Sequence, residues 1–364
     1  MPRSKAVDEE GGDSRQSQDD VLVASVKGPP FSATTGSNRH TWFTCYRCPR
    51  EGKPISVIRL VAALTLALSC ASPACAQRYI IDLDYAWAPF IEFDAQGAKF
   101  HLWYNENKGQ HLTLIYREAT NPTSDQAWSD EQVLMTGPAI GTTVVDEGVA
   151  GPERFKRAVY WAGEGRKRGL YLQTSSDGKD WNFTTSNPIL ARTDDIVDLW
   201  KDLRTGTYGL FIKHMVNDKR ETMLSHSSDF VKWSKPVTVF QSDSHDQGVT
   251  EFYGVACCLL RDNILVGFLR ILRSDIDQGI GYTVLTWSRD GYYWERSREP
   301  FMMGCPAGFD AAHAWVYGAA EHDGTIYLSY SAYEQGHKVG NRVAAIAVMP
   351  SKDLSFDHGI GPHC

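Results

Sequence analysis

Acidic residues recur at a regular spacing in the second part of this 364-residue chain. Each lies at or beside the start of an apolar, aromatic-rich segment, and successive members are 52 to 62 residues apart: Asp84, Asp146, Asp198, Glu251 and Asp310. Carboxylates that meet resist joint ionisation, so one holds its proton while another stays charged. An acid and a base of this kind are what glycoside hydrolysis requires. Alternatively, these acids cap loops or pair with arginines.

Aromatic residues lie within a few positions of the same acids. They are Trp87, Trp200, Tyr253 and Trp315. Sugar rings have apolar faces that stack on aromatic side chains, so this pattern favours a sugar ligand; packing between strands is the alternative. His313 could hydrogen-bond a carboxylate or help to hold a cation, or it could be structural. We predict no cofactor and no metal site, with a channel cation such as calcium as the alternative.

A turn motif repeats with the same period as the acids. Its form is Ser-x-Asp-(Gly)-x-x-aromatic, with clear copies at 175–181, 227–233 and 288–294 and weaker ones at both ends. The closing aromatic residues are Trp128, Trp181, Trp233, Trp294 and Phe356. Asp-Gly is a hairpin signal, because glycine accepts a positive φ and the carboxylate binds nearby backbone N–H groups. We therefore interpret these Asp and Trp residues as structural.

The repeat length and the strand patterns together predict the fold. Each copy contains short alternating apolar segments, typical of strands, and no convincing helix appears after residue 77. A repeat of this length built from strands is typical of a β-propeller. We predict an all-β, five-bladed β-propeller with four-stranded antiparallel blades, spanning residues 77–364. The first strand of each blade would line one axial channel, where the acids could meet.

The first 76 residues differ from the repeats. Residues 57–76 combine a basic start, a short apolar run and an Ala-x-Ala ending, which is typical of a secretory signal peptide. The apolar run is too short to span a bilayer. We expect residues 1–56 to be a disordered start-site extension, with Val57 as the initiator. The alternatives are a tail with a Cys45–Cys48 metal pair and a lipoprotein anchored through Cys70.

Charge and cysteine content limit the partners and the compartment. The net charge of −7 provides no basic stripe, so we predict no nucleic-acid partner. Export would place the protein outside the cell or in the periplasm. Four cysteines would remain, namely Cys257, Cys258, Cys305 and Cys364, and they could form one or two disulfides or stay free.

The chain resembles the five-bladed β-propeller glycoside hydrolases of the arabinanase, xylosidase, invertase and levansucrase type. The residues that carry this resemblance are the repeated turns and the segments 87–89, 99–104, 154–156 and 251–254. The resemblance implies a glycoside hydrolase that acts on a polysaccharide or an oligosaccharide.

The resemblance also implies roles for residues of this chain. Asp84 resembles the family's base, Asp198 the acid that orients and tunes, and Glu251 the proton donor. The resemblance matches His313 to the family's channel histidine, and from their types and spacing we expect substrate contacts at His313 and at Trp87, Asp146, Trp200, Tyr253 and Asp310. A non-catalytic carbohydrate-binding or surface interaction propeller is the alternative, and a sialidase is a third interpretation.

Overall fold

The computed structural model describes residues 77–82, 86–108, 111–137, 139–191, 193–246, 248, 250–276, 278–306 and 308–354. Asp84 and Phe356 lie outside this part, as do residues 1–76. The described residues form strands and two short 3₁₀ helices, at Asp125–Ala127 and Ser351–Asp353. The prediction of an all-β chain built from antiparallel sheets is confirmed. No helix in the described ranges has the length and apolar content needed to cross a membrane.

The first sheet contains four antiparallel strands in chain order. They are β2 (Ala86–Asp94), β3 (Lys99–Lys108), β4 (His111–Ala119) and β5 (Gln132–Thr136), and they follow a separate strand, β1 (Arg78–Asp82). Phe100, Leu102 and Tyr104 alternate along β3 and are buried. This period of two places one face of the strand in a hydrophobic core.

The second sheet has a divided first strand. Its strands are β6 (Ala139–Ile140), β7 (Val144–Asp146), β8 (Phe155–Trp161), β9 (Gly169–Ser175) and β10 (Asn182–Phe183). Both β6 and β7 pair with β8. Gly141 lies between them at a φ of +146°, and a Cβ there would lie 2.4 Å from the carbonyl oxygen of Ala158. Only glycine allows the backbone to pass so closely.

The third sheet again has four antiparallel strands in chain order. They are β11 (Val197–Lys201), β12 (Tyr208–Val216), β13 (Lys219–Ser227) and β14 (Val237–Phe240).

The remaining strands form two antiparallel groups. The first group is β15 (Thr250–Arg261), β16 (Ile264–Arg273), β17 (Ile280–Ser288) and β18 (Glu295–Arg296). The second is β19 (His313–His322), β20 (Thr325–Tyr333) and β21 (Arg342–Pro350), with β1 paired antiparallel to β21. A single parallel pair, Gly281 with His313, joins the groups into one eight-stranded sheet.

The repeated turns form the hydrogen bonds predicted from the sequence. In the copy at 175–181, the Asp177 carboxylate accepts hydrogen bonds from the backbone N–H groups of Lys179 and Asp180 at 2.9 and 3.0 Å. The indole of Trp103, in the first sheet, donates to the carbonyl of Gly178 at 2.8 Å. The turn therefore fixes its own shape and also ties one sheet to the next.

Hydrophobic clusters lie between neighbouring groups of strands in cyclic order. Trp103 of the first sheet packs with Phe155 of the second, and the second and third sheets share another cluster. Further clusters join the third sheet to β15–β17, and β15–β17 to β19–β21. Finally, Ile346 of β21 packs with Ile91 and Phe100 of the first sheet. The order of packing thus returns to its starting point.

The first strands of these groups meet at a common cavity of about 260 Å³. Residues of β2, β7, β11, β15 and β19 line it, and they come from the later part of each strand. We call this the far end of the channel. The opposite side, where the strands begin, is called the start end.

Candidate functional site

A narrow cleft opens at the start end. Trp87, Asn105, Asp198 and Tyr317 line it, together with backbone from the junction of β6 and β7. Both polar side-chain atoms of Asn105 are buried and lack a hydrogen-bond partner within the described residues. The start end therefore gathers polar and aromatic groups from separate sheets.

Asp198 on β11 forms a fully buried ion pair. Its carboxylate lies 2.5 Å from the Arg270 guanidinium, and that guanidinium stacks over the Tyr317 ring at 4.0 Å. Burial raises the pKa of Asp198, and the charge of Arg270 opposes this rise. A Cβ on Gly254, whose φ is +126°, would lie 2.6 Å from both charged groups. Glycine at 254 thus makes room for the pair.

Glu251 on β15 lies beside a second arginine. Its carboxylate is buried and is bonded by the guanidinium of Arg220. That guanidinium lies 4.8 Å from the centre of the Tyr253 ring. Lys213 lies 5.2 Å from the same ring and pairs with Asp195. Two ion pairs therefore flank Tyr253.

Two histidines continue the site from Tyr253. The Tyr253 hydroxyl lies 3.1 Å from Nε2 of His337, and the His337 ring stacks on His313 at 5.4 Å. Burial lowers the pKa of each histidine to about 3, so both are neutral near pH 7. His313 is fully buried, and neither ring nitrogen has a hydrogen-bond partner of good geometry within the described residues.

Aromatic rings complete this end of the channel. Trp87 packs against a cluster that contains Tyr253, Trp315 and Tyr317. The Tyr253 and Trp315 rings are 4.6 Å apart, and the Trp315 indole donates to the carbonyl of Ile271 at 2.8 Å. Six residues chosen from the sequence therefore share the start end: Trp87, Asp198, Glu251, Tyr253, His313 and Trp315.

The other candidates have different surroundings. Asp146 lines the cavity at the far end, where Arg154 donates to it at 2.6 and 2.9 Å. The Trp200 ring packs in the core, 5.9 Å from Phe211. Asp310 is buried and pairs with Arg78 of β1, so its carboxylate ties β1 to the loop before β19. Asp84 lies outside the described residues.

A carboxyl group that the sequence reasoning missed lies at the far end. Glu92 lines that cavity, and burial, together with the charge of Asp146, raises its pKa to about 8. Glu92 therefore holds its proton at neutral pH. Around it, apolar side chains such as Phe90 and Leu199 line the cavity together with the charged side chains of Asp146 and Lys201.

The arginines and His337 at the start end were also missed. Arg270 could have been found, because it interrupts an otherwise apolar run in β16, ILVGFLRILR. A charged side chain that is buried in such a strand needs an ionic or hydrogen-bonding partner. Arg220 and His337 lie in segments whose composition gives no comparable signal.

The described residues do not fit a channel calcium ion. Within them, no group of three or more His, Cys, Asp or Glu side chains could hold a metal. Asp198, Glu251 and Asp195 each contact a cationic side chain. Calcium needs six to eight oxygen ligands, and carboxylates already neutralised by arginine or lysine do not supply them.

Comparison with solved structures identifies proteins of the same fold. A chain described as a glycoside hydrolase is 14% identical with a TM-score of 0.55, covering 85% of this chain and 99% of that one. An endo-arabinase from Bacteroides thetaiotaomicron is 16% identical with a TM-score of 0.52, covering 80% and 98%. A β-1,2-mannobiose phosphorylase from Listeria innocua is 9% identical with a TM-score of 0.54, covering 74% and 91%.

These likenesses confirm the resemblance drawn from the sequence at the level of the fold. The fold is propeller-like, and it is shared with enzymes that act on glycans. No family model matches the chain, and no curated protein matches it by sequence.

Proposed function

We propose that this protein is a glycoside hydrolase whose active site lies at the start end of the channel. Two observations support the proposal: Asp198 and Glu251 both lie at the start end, and Trp87, Tyr253 and Trp315 pack in one aromatic group there. Carboxyl groups beside aromatic rings provide both acid–base chemistry and a surface for a sugar ring.

In this proposal Glu251 gives its proton to the leaving oxygen and Asp84 activates water on the opposite face of the sugar. Asp198 is a positioning residue, since Arg270 fixes its carboxylate. Proton donation by Glu251 requires that Arg220 loosen its contact with the carboxylate when substrate binds.

We further propose that the fold has five blades. The cyclic order of the hydrophobic clusters supports this count, because the last strands pack against the first sheet. The pairing of β1 with β21 supports it too, since a strand from the start of the described chain then completes the last blade.

A non-catalytic carbohydrate-binding protein is the second candidate. One observation favours it: the described carboxylates at the start end, Asp198, Glu251 and Asp195, are each paired with a cation. A site without a free acid would bind sugars through its aromatic rings and would not cleave them.

A substrate screen separates the two candidates. Purified protein is incubated with aryl glycosides of common sugars and with plant and microbial polysaccharides, and released sugars are measured. The hydrolase proposal predicts cleavage of at least one class of substrate, with activity lost in Glu251→Gln. Binding to a polysaccharide without any release of sugar would instead establish the binding protein.

We also propose that residues 57–76 direct secretion or export to the periplasm. The expected result is a processed protein that begins at Gln77, because the Ala-x-Ala ending precedes it. N-terminal sequencing of protein from the native host measures this. Retention of residues 57–76 on the exported protein would contradict it.

A further inference from the structure

Four cationic side chains surround the rings of Tyr253, His337 and Tyr333 at the start end. We call Lys213, Arg220, Lys338 and Arg342 the basic cluster. Lys213 and Arg220 lie 5.2 and 4.8 Å from the Tyr253 ring, and Arg342 lies 5.6 Å from the Tyr333 ring.

The Tyr333 and His337 rings are 6.2 Å apart. Arg342, beside Tyr333, and Lys338, next to His337 in the chain, therefore lie in the same region. The side chain of Lys338 is exposed.

The positive charges of the basic cluster outnumber the carboxylates that form ion pairs with it. Lys213 pairs with Asp195, and Arg220 pairs with Glu251. Lys338 and Arg342 form no ion pair in the part of the chain that the structure describes. The whole protein carries a net charge of −7, so this local excess is opposite to the overall charge. A group of cations in excess of its acidic partners raises the local concentration of anions.

The positive charges of the basic cluster act on the neighbouring His337. The pKa of His337 is lowered by burial first, and then by His313, Lys338, Arg220 and Arg342. A neutral His337 offers Nδ1, which is buried and has no hydrogen-bond partner within the described residues. Lys338 and Arg342 could therefore both donate hydrogen bonds to the oxygens of a bound anion.

We propose that this site takes a sugar unit that carries an oxyanion, specifically the carboxylate of a uronic acid. This inference rests on the proposed glycan ligand and specifies its class. Arginine binds carboxylates through two parallel N–H···O bonds, and lysine adds a mobile point charge. The nearby rings of Tyr253, Trp315 and Trp87 would stack on the sugar itself.

A bound carboxylate would also change the state of Glu251. Arg220 would divide its hydrogen bonds between the ligand and Glu251, which would loosen the contact that holds the Glu251 carboxylate. The anionic group of the substrate would then help to prepare the proton donor. Arg220 is a positioning residue in this account.

The test measures binding by calorimetry and does not depend on turnover. The probes are a trimer of galacturonic acid, its fully methyl-esterified form and inorganic phosphate. The ester keeps the sugar rings and removes the charge. We expect the acid to bind at least about 10-fold more tightly than the ester, because each tenfold corresponds to about 1.4 kcal/mol and charged hydrogen bonds supply that much.

Variants of the unpaired cations then locate the effect. In Lys338→Gln/Arg342→Gln the preference for the acid should fall to less than about 3-fold, while the ester binds as before. Lys352→Gln, an exposed lysine in the 3₁₀ helix after β21, is the matched control and should change neither value. Melting temperatures check folding, and Lys338→Gln alone serves if the double variant unfolds.

Two outcomes would overturn the inference. Equal binding of acid and ester would show that the charge is not recognised. Binding of phosphate in place of the uronate would identify a free anion as the ligand. The test also distinguishes this inference from the hydrolase proposal. Binding of the acid without cleavage of any glycan refutes only the proposed catalysis. Cleavage limited to neutral glycans, with no binding of the acid, refutes only this inference.

Discussion

Replacing Glu251 with glutamine is expected to lower kcat by about 10²–10⁴-fold on a natural substrate, the range that general acid catalysis supplies. Glutamine keeps the size of the side chain but has no acidic proton to give. Substrate affinity should change little, because the aromatic residues Trp87, Tyr253 and Trp315 remain. Steady-state rates on the substrate found in the screen measure the effect.

The leaving group provides a sharper version of this measurement. An aryl glycoside whose phenol leaves easily needs little protonation, so Glu251→Gln should lose far less activity on it than on a sugar leaving group. A variant that loses activity equally on both substrates would have lost something other than a proton donor.

Glu92→Gln is the matched control for this experiment. Glu92 lies at the far end and is already neutral at pH 7, since its pKa is about 8. The amide therefore reproduces its charge, and activity should stay within about twofold. If Glu92→Gln were inactive and Glu251→Gln active, the catalytic site would lie at the far end of the channel, and the proposed mechanism would be wrong.

The second large effect concerns the stability of the protein. Arg270→Leu is expected to lower the free energy of unfolding by about 3–5 kcal/mol, the usual cost of leaving one member of a buried ion pair alone. Asp198 would keep its full burial and lose the guanidinium at 2.5 Å. Urea unfolding followed by tryptophan fluorescence measures the change.

Two further variants show whether the lost pair is the cause. Arg270→Leu/Asp198→Asn should recover part of the loss, since the uncompensated charge is then gone. Arg298→Leu is the control: Arg298 and its partner Asp243 are both 42% exposed, and its second partner, Asp246, keeps its ion pair with Arg296 in the variant. Such pairs contribute about 0–1 kcal/mol. A loss from Arg298→Leu as large as that from Arg270→Leu would contradict the argument.

The sequence by itself determined the repeated elements. The Asp-Gly turns, with Trp181 and Trp294 as closing residues, depend on local φ preferences and on hydrogen bonds within a few residues, so the printed order of amino acids is enough to reveal them. The alternation of Phe100, Leu102 and Tyr104 along β3 likewise follows from the period of a strand. The same periodicity placed Asp198 and Glu251 near the start of strands in adjacent sheets.

The tertiary structure decided which of those residues share a site and what state they are in. Asp310 has the right spacing, yet it pairs with Arg78, which is 232 positions away in the chain. Asp198 meets Arg270, 72 positions away, and His337 reaches Tyr253 across 84. Spacing cannot reveal such partners, because each depends on how strands and loops far apart in the chain pack together. The charge of a buried carboxyl group is set by those partners and by its distance from water, and both come from the fold.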